Sequence, residues 1–255
     1  MASTDLKNIF VFIVAYRDKR FIDTVKDAIH KADSPERIFW RILVQDSNHR
    51  KIDEDVKNLL IEYKHWDDIT GFAKHRFNLM NNSKNANYLL CIQPGSTFSE
   101  HWDTNLISFA TNKDKFFLTD SDTISPDNMF LNKETIEYTK YPSYLKYWGE
   151  SEEISIRAYC KGVPVINGLS SYIIKPEPRE YDYIPFSKSH RYRDLERLYK
   201  YGYNDYVDLR MSGDKYFEYA KLHPLRQIHH VLDDVSYSEK DIMNPKVGSF
   251  TIKDE

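Results

Sequence analysis

Cysteine is almost missing from this chain. Two cysteines, Cys91 and Cys160, stand in 255 residues, so no disulfide framework supports the fold. Cys91 lies in an apolar run and Cys160 in a helix-like stretch, and both read as buried thiols of a reducing compartment. No run of about 18 apolar residues occurs, and the opening MASTDLKN has no signal-type apolar region. The expectation is a soluble, cytoplasmic protein with no membrane partner. Glycine and proline, 8 and 10 residues, are too few for a low-complexity chain. Charge of one sign is not in excess either. A formal net charge of −3 makes the whole chain a poor electrostatic ligand for nucleic acid or an anionic bilayer. P-loop, GxSxG, HExxH, paired CxxC and GxGxxG patterns are lacking, and there is no internal repeat.

What the chain does have is apolar and aromatic residues in quantity. A hydrophobic content of 41% with 19 tyrosines is enough to fill a core. The length suits one large domain, or one domain with a small appendage. Ile9–Ala15 (IFVFIVA) is a continuous apolar run, the form of a strand buried on both faces. Phe21, Ile22, Val25, Ala28, Ile29 and Ala32 recur at helical spacing until Ser34-Pro35 closes the helix. Ile38–Gln45 reads as a second strand. Val56, Leu59, Leu60 and Tyr63 fit a second helix, and Gly71–Met80 holds a third. Tyr88–Ile92 and Phe116–Thr119 are further strands, with a short helix at Trp102–Ala110 between them. Strands separated by helices favour crossover connections and a mixed, mostly parallel sheet flanked by helices, an α/β architecture.

Beyond residue 125 the pattern loosens. Pro126, Pro142 and Pro164 punctuate it, Ser171–Ile174 reads as a strand, and His190 to about Leu232 is helical and dense in Tyr and Arg. The expected division is a core over residues 1–185 and a helical C-terminal extension over 186–255 packed on it.

The most informative stretch is Tyr147–Val163, YWGESEEISIRAYCKGV. Ser151 suits an N-cap, Ile154, Ala158 and Tyr159 a buried stripe, and Gly162 a stop. Glu152 and Glu153 then fall in a first helical turn, where the macrodipole favours a carboxylate, at the rim of an α/β sheet where ligands sit. An acidic first turn without chemical duty is the ordinary alternative.

Three loops after strands carry further chemistry. The first strand runs into Tyr16-Arg17-Asp18. There Arg17 could pair with a diphosphate and Asp18 accept from a ribose or base, or Asp18 could simply cap the next helix. The strand Tyr88–Ile92 runs into Gln93-Pro94-Gly95-Ser96, a turn at the same sheet edge with no carboxylate to hold a cation. Asp120-Ser121-Asp122 follows an apolar strand and could bind Mg²⁺ or Mn²⁺, although capping is the commoner use of such a pair. Lys188, His190, Arg191, Arg193 and Arg197 form a basic cluster, interrupted by Asp194 and Glu196.

Four segments, in order, resemble a known family. IFVFIVAYRD (Ile9–Asp18) with SPERIFWRILVQ (Ser34–Gln45) resembles the opening of GT-A-fold glycosyltransferases related to the hydroxyproline-directed polypeptide N-acetylglucosaminyltransferases. GFAKHR (Gly71–Arg76) is similar to a family element of which Gly71 and Arg76 remain. NYLLCIQPGSTFSEHWD has the framing of the family's metal-motif segment. YWGESEEISIRAYCKGV is similar to the helix that carries the acceptor-side acids. The likeness spans roughly residues 9–175 and departs at two points. Gln93 and Gly95 stand where the motif has Asp and His, which makes a degenerate DxD motif. Residues 149–153 (GESEE) contain two extra residues relative to Gly-Glu-Glu, so Glu150, Glu152 or Glu153 could be the acid.

The resemblance implies a GT-A-like fold that moves a sugar from a nucleotide sugar, a UDP-sugar above all, to a hydroxyl on an acceptor protein or glycan. A modified base in DNA is a more distant acceptor. Tyr16, Arg17, Asp18, Gln45, Arg76 and Gln93 would hold the donor. Glu152 or Glu153 would deprotonate or orient the acceptor. If Mn²⁺ or Mg²⁺ is needed, Asp120, Asp122 and His190 are the substitute ligands. Without metal, Arg17, Arg76 or the cluster at 188–197 would neutralise the diphosphate. In the alternative reading, loss of the carboxylate at Gln93 leaves an inert fold that serves as a binding or assembly module in a larger complex.

Overall fold

The computed structural model describes residues 7–45, 56–64, 72–81, 83, 85–121, 124–139 and 150–176, with the backbone alone at 72–74, 81, 152, 156, 159 and 160. All lie in the first of two units into which the chain divides, Met1–Pro185. Asp122, His190, the basic cluster at 188–197 and the expected extension over 186–255 lie outside the described residues.

The apolar run at the N-terminus forms β1 (Ile9–Tyr16) in the middle of a seven-stranded sheet. β2 (Ile38–Gln45) pairs with it in parallel on one side and β4 (Tyr88–Ile92) in parallel on the other. β3 (Leu59–Lys64) pairs in parallel with β2. Beyond β4 comes β7 (Met129–Asn132), antiparallel both to β4 and to β6 (Phe117–Thr119), and β8 (Val165–Asn167) runs parallel to β6. The spatial order is therefore β3-β2-β1-β4-β7-β6-β8, mixed and mostly parallel as expected. A two-stranded sheet joins β5 (Thr97–Phe98) to β9 (Ile173–Ile174).

Successive side chains of a strand point to opposite faces, and two cores follow from that alternation. Ile9, Val11, Ile13 and Ala15 pack with Phe21, Val25 and Ala28 of α1 (Phe21–Lys31) and with Trp102 and Leu106 of α3 (Trp102–Ala110). Phe10 and Phe12 pack with Leu79 and Met80 of α2 (Phe72–Asn81), Ile136 of α4 (Lys133–Thr139), and Ile154 and Ala158 of α5 (Glu150–Cys160).

Three expectations need correction. Residues 56–63 hold no helix. Asn58 adopts a left-handed φ of 60°, which no α-helix tolerates mid-run, and donates through Nδ2 to the Glu36 carbonyl (3.0 Å). β3 then alternates, with Leu59, Ile61 and Tyr63 packing inward and Leu60 exposed. Ser151 lies inside α5 rather than capping it, and its hydroxyl donates to the Ile124 carbonyl. The stretch after residue 125 is more regular than its prolines suggest, since β7, α4 and β8 all form there. Gly162 does end α5, with φ +65°.

The α1–α3 contact is closed by polar groups as well as rings. Trp102 is fully buried, its ring centroid 4.7 Å from that of Phe98, and Nε1 donates to the Ala28 carbonyl (2.8 Å). Asp103 is also buried and accepts from the backbone N–H groups of Asp33 and Ser34 at 2.9 Å each. Trp102→Ala should destabilise the fold by about 3–5 kcal/mol in urea unfolding, and Trp102→Phe by distinctly less, because it loses the N–H but keeps a ring.

At the surface, His101 Nδ1 lies 2.5 Å from Asp33 Oδ1. Hydrogen bonds from Thr104 and His101 hold the Asp33 carboxyl below its ordinary 3.8. The bond to Asp33 holds His101 above 6.5. The pair's stabilisation is thus complete between those two ordinary values. It is lost as pH rises through the raised His101 value, and as pH falls through the lowered Asp33 value. Stability should decline modestly from pH 6 to pH 9, and His101→Asn, which tolerates the left-handed φ of 60° at that position, should flatten this part of the profile.

Candidate functional site

β1, β2 and β4 run in parallel, so their C-terminal ends share one edge of the sheet. β7 is antiparallel to β4 and to β6, which brings the C-terminal ends of β6 and β8 and the start of β7 to that same edge. β2 lies on one side of β1 and β4 on the other, so strand order reverses between β1 and β4. Ligands of open α/β sheets bind in the crevice at such a switch point.

The turn after β1 is built to hold still. Arg17 takes a left-handed φ of 47° and its backbone N–H donates to the Gln45 carbonyl at 2.9 Å, which ties the end of β1 to the end of β2. The Arg17 side chain is exposed, with its guanidinium 5.7 Å from the Tyr16 ring centroid. Asp18 is buried and accepts from the Arg20 backbone N–H (3.0 Å) and from Arg20 Nε and Nη2 (3.0 and 2.7 Å), which sets the start of α1. Gln45 is buried too. The fold therefore gathers Tyr16, Arg17, Asp18 and Gln45, with Gln93 across the switch point.

The Gln93 turn is closed by the Gln93 carbonyl, which accepts from the Ser96 N–H (3.3 Å) and hydroxyl (2.8 Å). Gly95 sits at φ +87°, and its N–H donates to Thr24 Oγ1 of α1 at 2.7 Å. A Cβ at Gly95 would stand 3.2 Å from Arg20 Cδ and Cζ and 3.1 Å from Pro176 Cβ. The backbone conformation favours glycine here, and a Cβ would also press on Pro176 and Arg20.

On the other half of the edge the charges are paired. Glu150, the first residue of α5, is buried against the Arg76 guanidinium, which also bonds Asp127. Burial alone would draw the Arg76 pKa down, but Asp127 and Glu150 together carry it up. Arg76, expected at the nucleotide, is thus 6% exposed between two acids. Glu153, expected at the acceptor, is fully buried and accepts from Arg157 Nε and Nη2, both at 2.7 Å. One turn of helix brings the two together, and the pair neutralises both charges inside the packed face of α5. For Glu152 the backbone places the residue in the first turn of α5.

Asp120 follows β6. Its Oδ2 accepts from Asn128 Nδ2 and lies 3.1 Å from Lys175 Nζ. The buried Oδ1 atoms of Asp120 and Asn128 have no hydrogen-bond partner. Among the described residues no three His, Cys, Asp or Glu side chains are grouped to hold a metal ion. No helix of the described residues is long and apolar enough to cross a membrane. Sequence reasoning missed Arg20 and Lys175. The available signal was Asp18-x-Arg20, an acid and a base too close in sequence to be solvated independently once Asp18 is buried.

Comparison with known proteins agrees with this architecture. The model of a family described as Glycosyltransferase (GlcNAc) matches residues 8–60. No curated protein matches the sequence. Among solved structures, S. aureus TarS residues 1–349 with UDP-GlcNAc superposes with a TM-score of 0.54 at 11% identity, covering 82% of this chain and 77% of that one. GalNAc-T7 with UDP, GalNAc and Mn²⁺ gives 0.57 at 13% identity, covering 78% and 49%. The mannosyltransferase PcManGT of Pyrobaculum calidifontis with GDP-Man and Mn²⁺ gives 0.55 at 10%, covering 76% and 63%. The match to the longer TarS structure covers 39% of that chain. The fold is that of GT-A glycosyltransferases.

The assignment of Glu153 to the packing of α5 has a direct check. Glu153→Ala leaves the Arg157 charge buried without this carboxylate and should cost about 3–5 kcal/mol in denaturant unfolding, with the paired change to Glu153→Leu and Arg157→Met recovering much of the loss. A group serving only chemistry would leave stability unchanged.

Proposed function

We propose that this protein transfers a sugar from a nucleotide-sugar donor, a UDP-sugar, to a hydroxyl acceptor. The observation that carries the reading is the meeting of Tyr16, Arg17, Gln45 and Gln93 at the switch point between β1 and β4, in a fold shared with enzymes solved with nucleotide sugars. The donor's base and ribose lie against Tyr16, Asp18 and Gln45, and Arg17 faces the phosphates. The first turn of α5 supplies the acceptor-side acid. That acid is Glu152, because Glu153 is bound to Arg157 and Glu150 to Arg76. It deprotonates or orients the hydroxyl, while placement of the two substrates side by side supplies much of the acceleration. In keeping with the sequence resemblance, the acceptor is a hydroxylated protein side chain. The buried Cys91 thiol and the scarcity of cysteine suit work in the cytoplasm.

A second reading, a binding module without turnover, draws on the engagement of Arg76 and Glu153 in buried ion pairs. Both readings are separated by measuring nucleotide binding and donor turnover on the same sample. A transferase is stabilised by a UDP- or GDP-sugar, by about 2.7 kcal/mol at a hundredfold excess over Kd. It also releases the nucleotide diphosphate slowly with water as acceptor. Glu152→Gln should lower that turnover about 10²–10⁴-fold with little loss of nucleotide affinity. Binding without any turnover selects the module, and the lack of any nucleotide binding defeats sugar transfer.

A further inference from the structure

We infer that Arg20 and Lys175 together take the place of a divalent cation at the donor's diphosphate, so that donor binding needs no metal. The inference rests on the sugar-transfer reading above and adds residues to the same site. Two of the similar structures hold Mn²⁺ beside a nucleotide or nucleotide sugar. The turn after β4 does not suit such an ion. The Gln93–Ser96 turn offers an amide and a hydroxyl where a hard cation wants carboxylate oxygens. The Asp120 carboxylate, which follows β6, already lies 3.1 Å from the Lys175 ammonium through Oδ2, and a second cation there would be repelled.

The edge instead carries organic cations. Gly95 lacks a side chain, and the Arg20 guanidinium carbon lies 3.2 Å from where its Cβ would be. Arg20 is fixed there from below. Asp18 accepts from its backbone N–H, Nε and Nη2. Thr24, whose hydroxyl donates to the Arg20 carbonyl (3.1 Å), accepts the Gly95 N–H. Pro176 reaches the same Gly95 position at 3.1 Å, and its neighbour Lys175 is anchored through Nζ to Asp120. The two side chains remain 35% and 38% exposed, so anchoring leaves each a solvent-facing part. The Arg20 guanidinium stands at the turn beside the switch-point crevice, and the Lys175 ammonium stands at Asp120 after β6 on the same sheet edge, each oriented by a carboxylate. Together they carry the charge of one divalent ion, delivered by groups suited to phosphate oxygens.

The test compares the affinities of UDP and GDP with those of uridine and guanosine, in EDTA and in Mn²⁺, for the wild type, Lys175→Gln and Arg20→Gln. The expected result is a diphosphate affinity unchanged by EDTA. Each variant should lose about tenfold or more for the diphosphate and little for the nucleoside. Lys175 is exposed enough for its replacement to leave the fold intact, so it decides the matter if Arg20→Gln loosens Asp18. Diphosphate binding that appears only with Mn²⁺, or a diphosphate-to-nucleoside ratio that Lys175→Gln does not move, overturns the inference and leaves sugar transfer standing. Failure of the wild type to bind any of the four compounds overturns both.

Discussion

The structure depends on the burial of β1. Its residues from Ile9 to Ile13 are all within 4% of full burial, and both of its edges are hydrogen-bonded to parallel neighbours. An apolar strand with no water on either face must find backbone partners on both sides, because an unpaired buried N–H or carbonyl costs about as much as a lost hydrogen bond. Parallel partners cannot be joined by a tight turn. The chain therefore leaves β1 through α1 to reach β2, and later reaches β4 on the opposite side. The switch point, and with it the crevice, is a consequence of satisfying one strand.

The two halves of the functional edge are organised by different physics. On the β1–β2 side, position is set by backbone bonds and a glycine: Arg17 N–H to Gln45, Gly95 N–H to Thr24. On the β7–α5 side it is set by buried charge. Arg76 spans Glu150 and Asp127, Glu153 binds Arg157, and Ser155 Oγ accepts the Ile124 N–H at 3.0 Å. Burial pushes the Cys91 thiol up, against the pull of Arg76, so the sulfur beneath this cluster stays neutral. Buried ion pairs contribute little net stability over apolar packing, but they tolerate only one arrangement. Here that arrangement sets the first turn of α5 at the sheet edge.

Much of the fold was legible in the sequence. β1, β2, β4 and α3 follow from apolar runs and spacing that no competing pattern obscures, and the acidic helix α5 from its Gly162 stop. The reading failed at residues 56–63, where helical and alternating patterns coexist in the same letters. A short edge strand declares itself only once β2 offers it a partner and Asn58 turns left-handed. It thinned out after residue 125 for a related reason. β7 and β8 are four and three residues long, too short to show a period, and are held by strands distant in sequence.

By itself the sequence determined the class of sheet, the strand that lies at its centre, and the loops that meet at its edge, because these depend on apolar runs and local turn chemistry. Tertiary structure alone decided what each charged residue does there. Asp18, Arg76 and Glu153 carry the same charges wherever they stand, and their letters suit a ligand as well as a neighbour. Only folding brings Arg20 onto Asp18, Glu150 and Asp127 onto Arg76, and Arg157 onto Glu153. Once a charge is buried, the cost of leaving it unpaired outweighs any local preference. Its partner is therefore chosen by the packing around it, whether that partner is a local neighbour, as Arg20 is to Asp18 and Arg157 to Glu153, or one distant in sequence, as Glu150 is to Arg76.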